Sequence, residues 1–131
     1  MNPNTQADLG KLVLRIALGV MILLHGFAKL RNGVDPIEGM LAAHGLPTAL
    51  AYGALVGEVV APLMVLLGLY ARIGALLIAV NMLFAIGLAH MAQLSQLNEQ
   101  GGWALELQGM FLATAVALAL FGPGRYAVNQ R

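Results

Sequence analysis

Five ionisable residues stand where such groups are costly. His25 and Lys29, four apart, close the otherwise apolar run GVMILLHGFAKL at residues 19–30. Glu58 lies inside VGEVVAPLMVLL, His90 ends the run IGLAH, and Glu106 lies in GGWALELQGMFL. Near the centre of a bilayer each such side chain costs at least about 2.5–3.5 kcal/mol, so it turns toward protein or water. Imidazoles and carboxylates gathered in an apolar place can hydrogen-bond the oxygens of a ligand and pass protons. His25, Glu58, His90 and Glu106 could instead hold one Zn, Fe or Mn ion. The Glu-x-x-His pairs of dinuclear bundles do not occur in the chain.

The elements that must carry these residues follow from composition. The chain has 131 residues, 60% of them hydrophobic and 10% charged, with a mean hydropathy of +0.80. A soluble domain is about a quarter charged. Four apolar stretches, Leu12–Leu30, Leu50–Tyr70, Ile73–Ala92 and Trp103–Phe121, each approach the length that crosses a hydrocarbon core of about 30 Å. The residues outside them are too few to jacket four greasy helices in polar surface. The expected fold is therefore all-α: a polytopic membrane protein, a single four-helix transmembrane bundle. Lys11 and Arg15 precede the first run as in a secretory signal, but no small-x-small cleavage site follows, so it reads as a retained helix. A net charge of +1 speaks against nucleic acid as a partner, and zero cysteines exclude thiolate, disulfide and Cys-ligated metal chemistry.

Four spans put both termini on one side with the turn at Arg72. That side carries Lys11, Arg15, Arg72, Arg125 and Arg131, against Lys29 and Arg31 opposite, which predicts cytoplasmic termini. Arg15 and Arg72 read as interfacial or orienting charges. The first external loop, DPIEGMLAAHG, predicts a short amphipathic helix with Asp35 as N-cap, Pro36 at its first position and Gly45 ending it. Lying on the membrane surface, it could cover the outer end of the bundle.

Arg15, Ile22, His25 and Lys29 fall on one a/d-type stripe, so the first helix is expected to turn its polar groups inward together. At a rise of about 1.5 Å per residue, His25, Glu58, His90 and Glu106 all come to the outer half of the membrane, one from each helix. Pro62 deprives the Glu58 carbonyl of its usual helical donor, leaving either a polar notch or a simple kink. Asn81 reads as a helix-to-helix hydrogen bond, and Gly53 with Gly57 as a close-packing pair. Trp103 lies one turn before Glu106 and joins the same group of candidates.

The runs RIALGVMILLHGFAKL, VGEVVAPLMVLLGLYARIGALLIAVNM, AH, GGWALELQGMFL and FGPGRY resemble the DoxX/DoxD family of small bacterial membrane proteins, from Lys11 to Tyr126. The resemblance implies a four-helix protein of the bacterial inner membrane, associated with redox metabolism. Some members are quinone-linked subunits of sulfur-oxidising complexes, and others are encoded beside enzymes of oxidant or quinone defence. It carries no catalytic assignment onto particular residues.

Two functions weigh about equally on these residues. In one, the His/Glu cluster with Lys29 and Trp103 binds a quinone in an apolar cavity, and a redox partner protein supplies electrons. In the other, the cluster holds four helices in register in a structural or assembly subunit that takes no ligand. A mononuclear metal site comes behind both, and a transporter is disfavoured because no internal repeat is visible. The expected partners are membrane lipids, a quinone, and a redox protein or a second copy of the chain.

Overall fold

A computed structural model describes residues 2–89 and 91–131. It is helical throughout, with five principal segments: α1 (Pro3–Asn32), α2 (Asp35–Ala43), α3 (Thr48–Leu67), α4 (Ala71–Ala89) and α5 (Glu106–Phe121). Two of them, α3 and α4, are long and apolar enough to cross a membrane.

The ends of α1 are written locally. Asn2 accepts the Thr5 N–H through its side chain at 2.8 Å, and Pro3 takes the first helical position, where a missing N–H costs nothing. Lys29 and Arg31 occupy its last turn, against the negative end of the helix dipole. The helix starts well before the expected boundary at Leu12. α2 begins with Val34 rather than Asp35 as its cap, and no side chain caps it. Its far end is as expected: Gly45 adopts φ +72°, the Gly45 N–H reaches the Ala42 carbonyl at 3.1 Å, and the Leu46 N–H reaches Leu41 at 2.9 Å.

α3 is one continuous helical segment with a defect. It opens with a 3₁₀ turn (Thr48–Leu50), widens to a π turn over Val56–Val60, and resumes as α-helix from Ala61. Within the wide turn the Ala61 N–H reaches back five residues to Val56. Pro62 then falls in the first turn of the resumed α-helix, where its missing N–H leaves least behind. The proline is absorbed by a bulge, not by a sharp break.

α5 starts at Glu106, later than the expected Trp103. Asn98 organises the preceding loop: its side-chain oxygen accepts the N–H groups of Gln100 and Gly102, both at 3.0 Å, and its own N–H donates to Gly102 at 2.7 Å. Trp103 pairs with Leu97 in an isolated bridge, so the backbone is committed to the loop until Leu105.

Small residues bring the helices together. The core joins Leu18 and Ile22 of α1, Ala61 and Val65 of α3, Ala75 and Ile78 of α4, and Phe111, Ala115 and Leu118 of α5. α1 lies on α3 through Gly19 and Gly26. A Cβ at Gly19 would enter the Leu66 side chain, and one at Gly26 would strike the Glu58 carbonyl.

Arg15 is not a surface charge, whereas Arg72 stays exposed at the start of α4. Arg15 is 1% exposed and donates four hydrogen bonds to backbone carbonyls: Val65 at 2.9 Å, Leu66 at 3.0 Å, Pro123 at 3.1 Å and Tyr126 at 2.7 Å. It satisfies the last turn of α3 and the Gly-Pro-Gly-Arg-Tyr tail together. Arg72 does the same for α5, donating to Ala119 and Leu120 at 3.2 and 3.1 Å. The tail also bonds the α3–α4 turn, Val128 to Leu67 at 3.2 Å and Asn129 to Gly68 at 3.1 Å. One end of the molecule is thus locked by two guanidinium groups, and the candidate residues lie toward the other.

Candidate functional site

Gly26 sets the depth at which Lys29 meets Glu58. Because α1 rests directly on the Glu58 carbonyl, the side chain one turn later reaches into α3. The Lys29 ammonium lies 2.7 Å from Oε1 and 2.6 Å from Oε2 of Glu58, contacting both carboxylate oxygens. The Glu58 side chain is 7% exposed and the Lys29 side chain 27%. An ammonium has three N–H groups, so one stays free when two serve the carboxylate. Lys29 turns into the protein instead of reaching for the helix end.

The pair stands at the edge of an apolar cavity of about 370 Å³ between α2, α3 and α4. Gly53 and Gly57, read together from sequence as a packing pair, do opposite things here. Gly57 is the close approach: a Cβ there would come 2.6 Å from Asn81 Cβ and 3.0 Å from Asn81 Oδ1. Gly53 has nothing within 4 Å of where its Cβ would be, and that space is part of the cavity. Asn81 lines the same cavity. Among the described residues its amide has no hydrogen-bond partner, which corrects the expectation of a helix-to-helix bond.

α2 forms one wall. Ile37, Met40 and Leu41 line the cavity, and buried Leu41 packs with Val34 and Ala51. Leu50 and Val56 of α3 and Val80 and Phe84 of α4 line it too, yet are 51%, 44%, 48% and 54% exposed. The cavity therefore opens through the flank of the molecule, between α3 and α4.

The other sequence candidates are not gathered there. His25 is exposed on the outer surface, with its ring edge-on to Phe111 at 5.9 Å and 79°. It lines a separate shallow groove of about 350 Å³ between α1 and α5 with Met21, Leu24 and Leu107. The inward stripe fails at this position because the buried face runs through Leu18, Gly19, Ile22 and Gly26. Glu106 is exposed and accepts from Asn98 Nδ2 at 3.3 Å. Trp103 donates its indole N–H to the Leu94 carbonyl at 2.8 Å and packs over Gly109, away from the cavity. His90 lies outside the described residues. Among the described residues no three His, Asp or Glu side chains converge as a metal site would need.

Similarity to known proteins falls on the same part of the chain. The DoxX family model matches residues 10–91, which include every residue named on the cavity wall, from Lys29 to Phe84. A Bacillus subtilis (strain 168) protein named "Putative oxidoreductase CatD" is 29% identical over 119 residues, covering 91% of this chain and 84% of that one. An uncharacterized protein of Haemophilus influenzae is 34% identical over 79 residues, covering 60% of this chain and 58% of its own length. No solved structure matches. With more than half of its length under the family model, the chain belongs to the DoxX family.

Proposed function

We propose that this chain is an integral membrane protein of redox metabolism, a four-span bundle of the bacterial inner membrane, whose Lys29–Glu58 cavity binds the head of a quinone. The observation that carries the reading is a charged pair with a spare N–H donor at the edge of an otherwise apolar space that opens sideways. Apolar walls with a few placed polar groups are the usual form of a small-molecule site. A ring with carbonyl oxygens is suited to the free ammonium N–H, and Glu58 could take up or release the ligand's proton. The name of the Bacillus subtilis relative agrees with a redox role. The chain offers no electron-carrying motif of its own, so a partner protein supplies the electrons in this reading.

Four spans are supported by what the surface exposes. Val13, Leu24 and Phe27 of α1 and Met110, Leu120 and Phe121 of α5 are exposed as fully as Leu63 of α3 and Leu76 of α4. Such a continuous apolar surface is costly in water and ordinary in lipid. Although α5 is short, at about 24 Å, the apolar loop residues before it and interfacial Tyr126 after it extend its reach. The excess of positive residues at the terminal end supports cytoplasmic termini.

The test is a titration in nanodiscs with a decyl-tailed benzoquinone. Trp103 is remote from the cavity, so the reporter carries Phe84→Trp with Trp103→Phe. Saturable quenching that disappears in a Lys29→Met/Glu58→Leu variant supports the site. Linear quenching identical in both returns the pair to a purely structural role.

A further inference from the structure

Among the described residues, none hydrogen-bonds the Asn81 amide. It sits midway along an apolar helix, beside Gly57 and hence one residue from Glu58 on the opposing wall. An amide without a partner in such a setting is destabilising, and asparagine offers both a donor and an acceptor. The cavity thus presents two polar points, the spare Lys29 N–H and the Asn81 amide, with apolar surface elsewhere. Its mouth is equally informative. Val56 and Phe84 are at once cavity wall and outer surface, so in a bilayer the opening meets lipid chains and not the aqueous phase.

We infer that Asn81 is a ligand-binding residue, and that the site takes a membrane-phase amphiphile whose head carries two oxygens, one held by Lys29 and one by the Asn81 amide, with its tail leaving between α3 and α4. This rests on the quinone reading above and narrows it. A head with two hydrogen-bonding oxygens answers both polar points, whereas a head with one leaves one of them unmet. A ligand without a tail leaves the flank opening to lipid and gains none of the apolar contact there.

The experiment compares two probes in nanodiscs with the Phe84→Trp, Trp103→Phe reporter: the decyl-tailed benzoquinone and a para-decyl phenol, which has one oxygen. The parent is expected to prefer the quinone. Asn81→Leu, nearly isosteric, should weaken quinone binding roughly three- to tenfold, the worth of one hydrogen bond, and remove most of that preference while helix content is kept. Asn81→Ala serves as a second variant if the leucine disturbs packing on Gly57. Duroquinone, which has no tail, should bind more weakly than the tailed quinone in the parent by more than its lower partitioning into the discs explains. An unchanged preference in both Asn81 variants, with binding still lost in Lys29→Met/Glu58→Leu, overturns the inference and leaves the quinone site standing. No saturable binding of any probe to the parent overturns both.

Discussion

Gly26→Ala is the substitution whose consequence can be worked most directly from the structure. A methyl group there would strike the Glu58 carbonyl oxygen, lie 2.6 Å from the carbonyl carbon and 2.8 Å from Val59 Cγ2. Ordinary contact begins at 3.4 Å, so α1 and α3 must part by roughly an ångström, in keeping with the backbone shifts that overpacking forces. The struck Glu58 carbonyl is backbone and cannot rotate away. Overpacking of this kind costs about 1–3 kcal/mol, and an unyielding neighbour puts the expectation at the upper end. Lys29 moves with α1, so its contacts to Glu58, now 2.6 and 2.7 Å, stretch beyond good hydrogen bonding. The control is Gly39→Ala in α2, where a Cβ meets nothing within 4 Å and helix propensity alone gives a gain of roughly 0.5–1 kcal/mol. Thermal unfolding in nanodiscs, followed by far-ultraviolet circular dichroism, should separate the two variants in opposite directions from the parent. Gly26→Ala melting at or above the parent would refute the proposed contact between α1 and the Glu58 carbonyl.

Further outcomes follow from the same contacts. Arg15→Leu removes four hydrogen bonds to backbone carbonyls and should cost roughly 3 kcal/mol or more, read as a loss of folded protein in mild detergent. Arg15→Lys should rescue it only in part, because an ammonium lacks the guanidinium fork. Lys29→Met alone leaves the buried Glu58 carboxylate unpaired and should cost about 3 kcal/mol. Adding Glu58→Leu should recover most of that loss in the same melting assay, and additive losses would deny the coupling. Single cysteines at positions 5 and 129 should react with a membrane-impermeant thiol reagent only after cells are opened; labelling of intact spheroplasts at either would reverse the orientation.

Much of the fold is legible in the sequence because hydropathy and turn chemistry act locally. The apolar runs correspond to the helices, Gly45 ends α2 as its position suggests, and Pro62 marks the irregular turn beside Glu58. What escaped depends on which side chains neighbouring helices can admit. Treating Arg15, Ile22, His25 and Lys29 as one stripe follows a 3.5-residue period and weighs polar residues. The real contact face follows Gly19 and Gly26, where backbones can touch, and it leaves His25 outside. Arg15 looks like a surface charge in sequence because its partners are backbone carbonyls from residues 65 to 126, which no side-chain pattern announces. Gly53 and Gly57 are indistinguishable in sequence, yet one abuts Asn81 and the other opens the cavity. The signal that could have found the site was the pairing of Lys29 with Glu58 across two neighbouring helices. The loop before α5 misled for a different reason: Trp103–Leu105 is apolar enough to extend the helix, but Asn98 holds the preceding backbone in a turn.

Gly53 allows the space beside Lys29 and Glu58 to be tested directly as a ligand site. Gly53→Leu adds a side chain where nothing stands within 4 Å, so the protein should fold while the cavity is filled. The measurement is the decyl-benzoquinone titration in nanodiscs, run on the Phe84→Trp, Trp103→Phe reporter with and without Gly53→Leu. Saturable quenching is expected in the reporter and only the linear component of lipid partitioning once Gly53 is leucine, with helix content and melting unchanged or improved. Equal saturable quenching in both would contradict a ligand site there and place any ligand elsewhere on the molecule.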